Sequence, residues 1–463
     1  MQTEYIINSP GNSRLVIFFT GWSTARSIAS LLELPQGYDL LINWDYRNLT
    51  PIKLGKRYEE VLVFAWSFGV PVAQRLYPEL EKELNITGLY AINGSTHPID
   101  NIYGIPEDIF NATITNLNES NLQKFRIRMA GGVRKYKALS EVLTTEMTIG
   151  QLKDELEQIR TFHLEEAEKP EWDCAFVSTN DKIFPIGNLE KSWRDTPIIR
   201  LDDEEHLPDF NKIFSRVIKD KETIKRKFTH SRVSYDETAI VQKSLCHNLI
   251  ENLKAIKGAG YNSILELGSG TGYLSRLLYD AFLPEKFLLM DLSGECGMKE
   301  AGFISGDIEV KIDSVEREAF DLVVAGSTMQ WFHSPSRIMA KVFSILKTGG
   351  IFALTTYLPD TFKEIREQTG SGLLYYSEPQ WRLIAERAGF EILECISETV
   401  ELKFVGVKEI FEHIKSTGVN SLSGQIKSVG EMRKLISNYP KKAGRYTLTY
   451  CPITLILRKN TLR

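Results

Sequence analysis

Short apolar runs closed off by Gly, Asn, Asp or Pro recur along this chain in two separate series, and this repetition limits what it can fold into. The first series comprises RLVIFF (from Arg14), YDLLIN (from Tyr38), EVLVFAWS (from Glu60), ITGLYAING (from Ile86), CAFVSTND (from Cys174) and TPIIRLDD (from Thr196). Runs that are apolar throughout, not alternating, read as strands covered on both faces, which is the signature of a parallel sheet flanked by helices. From Asn101 to Lys169 the strand signal vanishes and the pattern turns helical and polar, as in an insert over an open sheet. The strands then begin again with SILELGSG (from Ser263), KFLLMDLS (from Lys286), FISGD (from Phe303), FDLVVAGS (from Phe320) and GGIFALTTY (from Gly349). FEILECISETVELKF (from Phe390) and TLTYCPITLILRK (from Thr447) close the second series. A sheet rebuilt from scratch means a second α/β domain, and 463 residues exceed what one core sustains. The predicted boundary lies near residue 218, in the charged, Gly-free stretch from Arg216 to Lys227, giving domains 1–217 and 218–463.

Composition narrows the function classes. A net charge of −4 gives no expectation of nucleic-acid binding, and no apolar run approaches the roughly 20 residues of a membrane span. The start, MQTEYIINSPGNSR, lacks the basic and apolar regions of a secretory signal. Cys174, Cys246, Cys296, Cys395 and Cys451 are scattered and form no CxxC pair, which suits a reduced cytoplasm and offers no zinc framework. Two local charge runs stand out. Lys124–Lys137 holds six basic and no acidic residues, and Arg216–Lys227 six basic and two acidic. Each is either a solvated helix face or a surface for an acidic partner.

In the first domain, strand VLVFA runs straight into Ala65-Trp66-Ser67-Phe68-Gly69. This is the G-x-S-x-G nucleophile elbow with Ala in the first position; small residues are needed because the serine sits in a strained strand-to-helix turn. An α/β-hydrolase with a helical lid insert is therefore the expected fold. Its acid and histidine should follow in that order, each after a later strand. Asp181 follows CAFVST and His206 follows TPIIRLDDEE, whereas His97, His163, Asp173 and Asp195 compete from less suitable places. In the expected chemistry Ser67 attacks an ester, His206 carries its proton and Asp181 orients the imidazole. The amides of Phe68 and Trp22 are the expected oxyanion donors, Trp22 from the loop Thr20-Gly21-Trp22-Ser23 after the first long strand. FFTGWS, AWSFG, AINGSTHPIDNIYGIPEDIF and KFRIRMAGG together resemble the BioG-type pimeloyl-[acyl-carrier protein] methyl ester esterases over roughly residues 1–215. The resemblance implies a carrier-bound pimeloyl methyl ester as substrate and gives the same three residues their roles. Because such carriers are acidic, it also offers the Lys124–Lys137 run a partner, with Arg126 and Arg128 as expected contacts.

In the second domain, Ile264-Leu265-Glu266-Leu267-Gly268-Ser269-Gly270-Thr271-Gly272 is an apolar strand, an acid and then G-x-G-x-G opening a helix. Alone this equally fits a dinucleotide fingerprint. A series of acids favours S-adenosylmethionine. Glu266 is placed for the ammonium, Asp291 at the end of FLLMD for the ribose hydroxyls, and Asp307 with Ile308 for the adenine. Ser327-Thr328-Met329-Gln330-Trp331 follows the fourth strand, at the mouth where ligands bind in such sheets. A Rossmann-like seven-stranded methyltransferase with an antiparallel last strand is expected. KRKFTHSRVSYDETAIVQ, GDIE, TMQWF, KSTGVN and LTYCPITLILRK resemble the BioC-type malonyl-[acyl-carrier protein] O-methyltransferases across most of residues 222–463. The implied reaction methylates the free carboxylate of a malonyl thioester. A carboxylate is already ionised at neutral pH, so no general base is expected; Arg232, Tyr235 and Arg382 are the candidates to hold it.

The two resemblances together imply a bifunctional enzyme of biotin biosynthesis, acting in the cytoplasm on acyl-carrier protein. Two other readings stand beside it. The first domain is a catalytically dead docking scaffold, or a small-molecule methyltransferase is joined to an unrelated carboxylesterase.

Overall fold

The structure is a computed structural model, and it describes residues 1–164, 169–256, 260–294, 297–370, 372–417 and 429–460. Cys296 and the end of the KSTGVN run lie outside the described residues. The chain divides into two compact units, Met1–Phe214 and Ser215–Arg463. Among the described residues no helix is long and apolar enough to cross a membrane.

The first unit is built on seven strands: β1 (Gln2–Ile7), β2 (Arg14–Phe19), β3 (Tyr38–Trp44), β4 (Glu60–Trp66), β5 (Ile86–Ile92), β6 (Cys174–Ser178) and β7 (Ile198–Leu201). Their order across the sheet is β1-β3-β2-β4-β5-β6-β7. Strands β2 to β7 are mutually parallel and β1 adds to β3 antiparallel. All seven residues of β4 and of β5 are buried, as fully apolar runs require, with helices packed on the sheet. Strand β1 was not among the expected strands: QTEYII is a sheet edge that buries no residue completely, so it carries no apolar run. Helix α1 (Gly69–Glu83) follows β4 directly. The expected helical insert is four helices, α2 (Glu107–Thr115), α3 (Glu119–Met129), α4 (Val133–Leu139) and α5 (Ile149–Leu164), between β5 and β6. Helix α6 (Ile186–Ser192) follows β6, and α7 (Phe210–Val217) follows β7.

The second unit opens with α8 (Lys221–Thr238) and α9 (Ile240–Ala255), then forms a Rossmann-like sheet. Its elements are β8 (Ser263–Leu267), α10 (Tyr273–Phe282), β9 (Lys286–Asp291), β10 (Gly302–Ser305), α11 (Ile308–Lys311), β11 (Phe320–Gly326), β12 (Leu346–Tyr357) and β13 (Phe390–Ser397), with β14 (Val400–Phe404), β15 (Lys441–Lys442), β16 (Arg445–Tyr450) and β17 (Pro452–Lys459). The sheet order is β10-β9-β8-β11-β12-β17-β13, and β17 runs antiparallel to both neighbours. The two closing runs read from the sequence are each broken. FEILECISETVELKF splits around Glu398-Thr399 into β13 and β14, and TLTYCPITLILRK splits at Cys451 into β16 and β17. Strands β14, β16 and β15 form a separate three-stranded sheet. In both main sheets the strand order reverses beside the centre, between β2 and β4 and between β8 and β11. The crevice outside the carboxyl ends of those strands is where such sheets bind ligands.

Candidate active sites

In the first unit, β4 delivers Ser67 into a left-handed turn (φ 58°) before α1 starts. The turn is tight enough to exclude any side chain at Gly69, where a Cβ would lie 2.6 Å from the carbonyl oxygen of Phe19. This contact explains why a glycine stands at position 69. The structure brings Ser67, His206 and Asp181 together. Ser67 Oγ lies 2.9 Å from His206 Nε2, and His206 Nδ1 lies 2.8 Å from Asp181 Oδ2. Both partners are buried. Asp181 Oδ1 accepts from the amides of Ile183 (2.7 Å) and Phe184 (3.0 Å), which leaves Oδ2 to orient the ring with Nδ1 as its donor and Nε2 free to take a proton. Phe184 stacks on the imidazole at 5.9 Å and 18°.

Two buried side chains that the sequence reading passed over support His206. Trp66 Nε1 and Asn93 Nδ2 both donate to its carbonyl oxygen, at 2.8 and 2.9 Å. Asn93, itself left-handed (φ 43°), also donates to Ser178 Oγ (2.7 Å) and accepts from Ser178 N (2.7 Å). One side chain thus ties the end of β5 to β6 and to the loop carrying the histidine. Its only sequence signal is an Asn-Gly pair closing a strand.

The loop after β2 lies against Ser67, since a Cβ on Gly21 would come 3.1 Å from Ser67 Cβ. Among the described residues neither the Trp22 nor the Phe68 amide donates to a protein acceptor. The competing residues have other partners. Asp173 accepts from Leu89 N (2.8 Å), His97 meets Thr96 (3.0 Å), and Asp195 pairs with Arg194 at the surface. Arg126, expected on a docking face, is instead largely buried. Its Nη2 donates to Ser23 O at 3.1 Å, because the period of α3 turns Leu122, Phe125, Arg126 and Met129 inward; Arg128 stays exposed.

In the second unit the sequence-selected residues converge on one cleft, walled by α8 and floored by the ends of β8, β9 and β11. Glu266, Gly268, Gly270, Asp291, Asp307 and Ile308 all line it. Gly268 (φ 81°) packs so closely on Thr328 that a Cβ would sit 2.3 Å from its Oγ1. Gly272 (φ 80°) starts α10 without lining the cleft. Asp291 holds the glycine loop, accepting from Gly270 N at 2.8 Å and, with its other oxygen, from Ser293. Glu266 is fully buried, its Oε2 has no hydrogen-bond partner among the described residues, and burial pushes its carboxyl up to about 7. An orphaned buried carboxylate oxygen in a cleft of acids and glycines fits a ligand ammonium, so the residues present suit S-adenosylmethionine.

Asp307 is partly committed elsewhere. It caps α11 through Glu309 N (3.0 Å) and lies 3.4 Å from Lys221 Nζ. Lys221 is one corner of a buried network unforeseen in the sequence, in which Glu309 Oε2 accepts from Lys221 Nζ (2.7 Å) and meets His333 Nδ1 (3.0 Å). Burial alone would raise the Glu309 carboxyl, but the Lys221 ammonium and His333 hold it well below the usual range. Of the three candidates for the substrate carboxylate, Arg232 and Tyr235 line the cleft from α8. Arg382 does not; it reaches back one helical turn to Glu378 at 2.9 Å, on a surface helix. Trp331 lines the cleft while Met329 is wholly buried in the core.

Comparison with known proteins matches the two parts of the chain to two family descriptions. The family description pimeloyl-ACP methyl esterase BioG matches residues 1–218, and a methyltransferase-domain description matches residues 238–395. A malonyl-[acyl-carrier protein] O-methyltransferase of Bacteroides fragilis is 32% identical over 97% of this chain and 94% of its own length. One from Chlorobium phaeovibrioides is 32% identical over 53% of this chain and 99% of its own. The crystal structure of BioG from Haemophilus influenzae is 28% identical and covers 46% of this chain and 96% of that one, with a TM-score of 0.41.

Proposed function

From the premise that the chain belongs to the malonyl-[acyl-carrier protein] O-methyltransferase family and joins to it a BioG unit, we propose how its two sites divide the work. The chain is a bifunctional enzyme of biotin synthesis with S-adenosylmethionine as methyl donor. Residues 218–463 methylate the free carboxylate of a malonyl group on acyl-carrier protein. Residues 1–217, an α/β-hydrolase with the four-helix insert as its lid, later hydrolyse the methyl ester of the pimeloyl-carrier product. The protein works in the cytoplasm.

For hydrolysis, Ser67 Oγ attacks the ester carbonyl as its proton passes to His206 Nε2. The amides of Trp22 and Phe68 receive the oxyanion, each contributing about 3 kcal/mol. The proton leaves with methanol, and a water activated by the same imidazole releases the acid. For methylation, the donor supplies an electrophilic methyl group. Glu266 takes its ammonium, and Asp291 and Asp307 with Ile308 face its ribose and adenine. Arg232 and Tyr235 hold the malonate oxygen in line, roughly 3 Å from the carbon it attacks. No general base is required, because that carboxylate is ionised near neutrality. The ester hides a charge that would be costly to bury while the chain is elongated.

The observation that carries the reading is a complete Ser67–His206–Asp181 array in the same chain as a methyl-donor cleft. It speaks against a dead scaffold. The test is hydrolysis of pimeloyl-carrier methyl ester, followed by carrier mass, with wild type beside Ser67→Ala. Loss of the serine should cost about 10⁶ in kcat; equal rates in the two proteins would remove the esterase assignment.

A further inference from the structure

The loop after β2 is held on every side, and one of its bonds falls on the peptide that matters chemically. Trp22 Nε1 donates to Leu152 O on α5 at 3.1 Å, and the indole meets Phe125 of α3 edge-on at 4.9 Å. Arg126 Nη2 donates to Ser23 O at 3.1 Å. Ser23 sits in the left-handed region (φ 64°), which turns the chain back so that Thr24 Oγ1 donates to Gly21 O at 2.6 Å. Gly21 O and the Trp22 N–H are the two ends of one peptide group. A hydroxyl bonded to the oxygen of that group draws electron density from the nitrogen and makes the N–H a stronger donor; hydrogen bonds in series reinforce one another in a buried site. The same bond fixes the peptide plane, and with it the direction of the Trp22 N–H, in a loop whose Gly21 packs on Ser67.

We infer that Thr24 is a positioning residue of the esterase site, which orients and polarises the Gly21–Trp22 peptide for the oxyanion. The inference rests on the reading of the Trp22 amide as an oxyanion donor. Thr24 is 2% exposed, so its hydroxyl is shielded from bulk solvent. The bond gains importance only as negative charge develops on the substrate oxygen, so its loss belongs in kcat and not in KM.

The experiment compares full-length wild type, Thr24→Val, Thr24→Ser and Ser67→Ala on pimeloyl-carrier methyl ester. It also measures inhibition by a trifluoromethyl ketone of matching acyl chain, whose adduct carries the oxyanion. Valine keeps the shape and removes the donor. It should lower kcat about tenfold with KM within twofold, and weaken the ketone by the same factor as kcat/KM. Serine should restore both. A purely structural role would shift melting temperature and scale the active fraction without changing the ketone affinity of the remaining sites. Wild-type kcat and ketone affinity in Thr24→Val, with Ser67→Ala inactive, would overturn the inference. Wild-type activity in Ser67→Ala would overturn the reading beneath it.

Discussion

If Glu266 holds the ammonium of the methyl donor as proposed, binding there has a pH dependence that can be worked out in advance. In the ligand-free protein its carboxyl is pushed up to about 7 by burial, with the Asp291 carboxylate adding to the effect. A ligand ammonium gains from the ionised form only. Between pH 8 and pH 6 the ionised fraction falls from about nine-tenths to about one-tenth, so affinity should fall about tenfold, or ~1.4 kcal/mol. Stability of the empty unit runs the other way. A carboxyl whose folded value lies above its unfolded value favours the fold while protonated; that contribution is present below about pH 4.5 and is lost as pH rises through about 7, amounting to about 3 kcal/mol. Calorimetric titration with S-adenosylhomocysteine, which keeps the ammonium, measures the first quantity. In two buffers of different ionisation enthalpy it should also show close to one proton released per ligand at pH 6. Glu266→Gln should bind weakly with no pH dependence and should not lose stability across this range. A wild-type Kd constant from pH 6 to 8, or a Gln variant binding as tightly as wild type at pH 8, would refute the reasoning.

Three further outcomes follow from the contacts. Asn93→Ala removes the donor shared by Ser178 Oγ and the His206 carbonyl; esterase kcat should fall ten- to a hundredfold with methyl transfer unaffected, measured on the two carrier substrates. Gly268→Ala forces a Cβ against Thr328 in a left-handed backbone. It should weaken S-adenosylhomocysteine binding and destabilise the second unit by about 1–3 kcal/mol, read by thermal unfolding with and without ligand. Burial pushes the Glu155 carboxyl of α5, which accepts from Tyr46 N, up to about 8. Glu155→Gln should therefore gain stability relative to wild type as pH rises from about 5 to 8, seen in denaturant melts at both pH values.

Much of both sheets was legible because strands covered on two faces are apolar along their whole length, and such runs survive as plain text in RLVIFF or SILEL. Strand β1 was not legible because it lies at an edge and needs no apolar run. The breaks in the closing strands are not legible because Thr399 and Cys451 leave the local composition unchanged where the chain changes sheet. Ser67, Asp181 and His206 could be picked out because sheet topology orders them along the chain. Asn93 could not, since its roles come from partners 85 and 113 residues away. The basic run holding Arg126 shows the limit of charge counting, for only helix phase distinguishes a solvated guanidinium from one buried on Ser23. Arg382 shows the same limit, because a glutamate one helical turn away claims it.

The central claim is that one chain both makes and removes a methyl ester on carrier-bound acids, at separate sites. The most direct measurement follows carrier mass with the purified full-length protein in two reactions, malonyl-carrier with S-adenosylmethionine and pimeloyl-carrier methyl ester alone. Each is run with wild type, Ser67→Ala and Glu266→Gln. The account predicts that wild type adds one methyl group in the first reaction and loses one in the second, that Ser67→Ala abolishes only the loss, and that Glu266→Gln impairs only the gain. Either reaction absent from wild type, or one substitution disabling both, would contradict it.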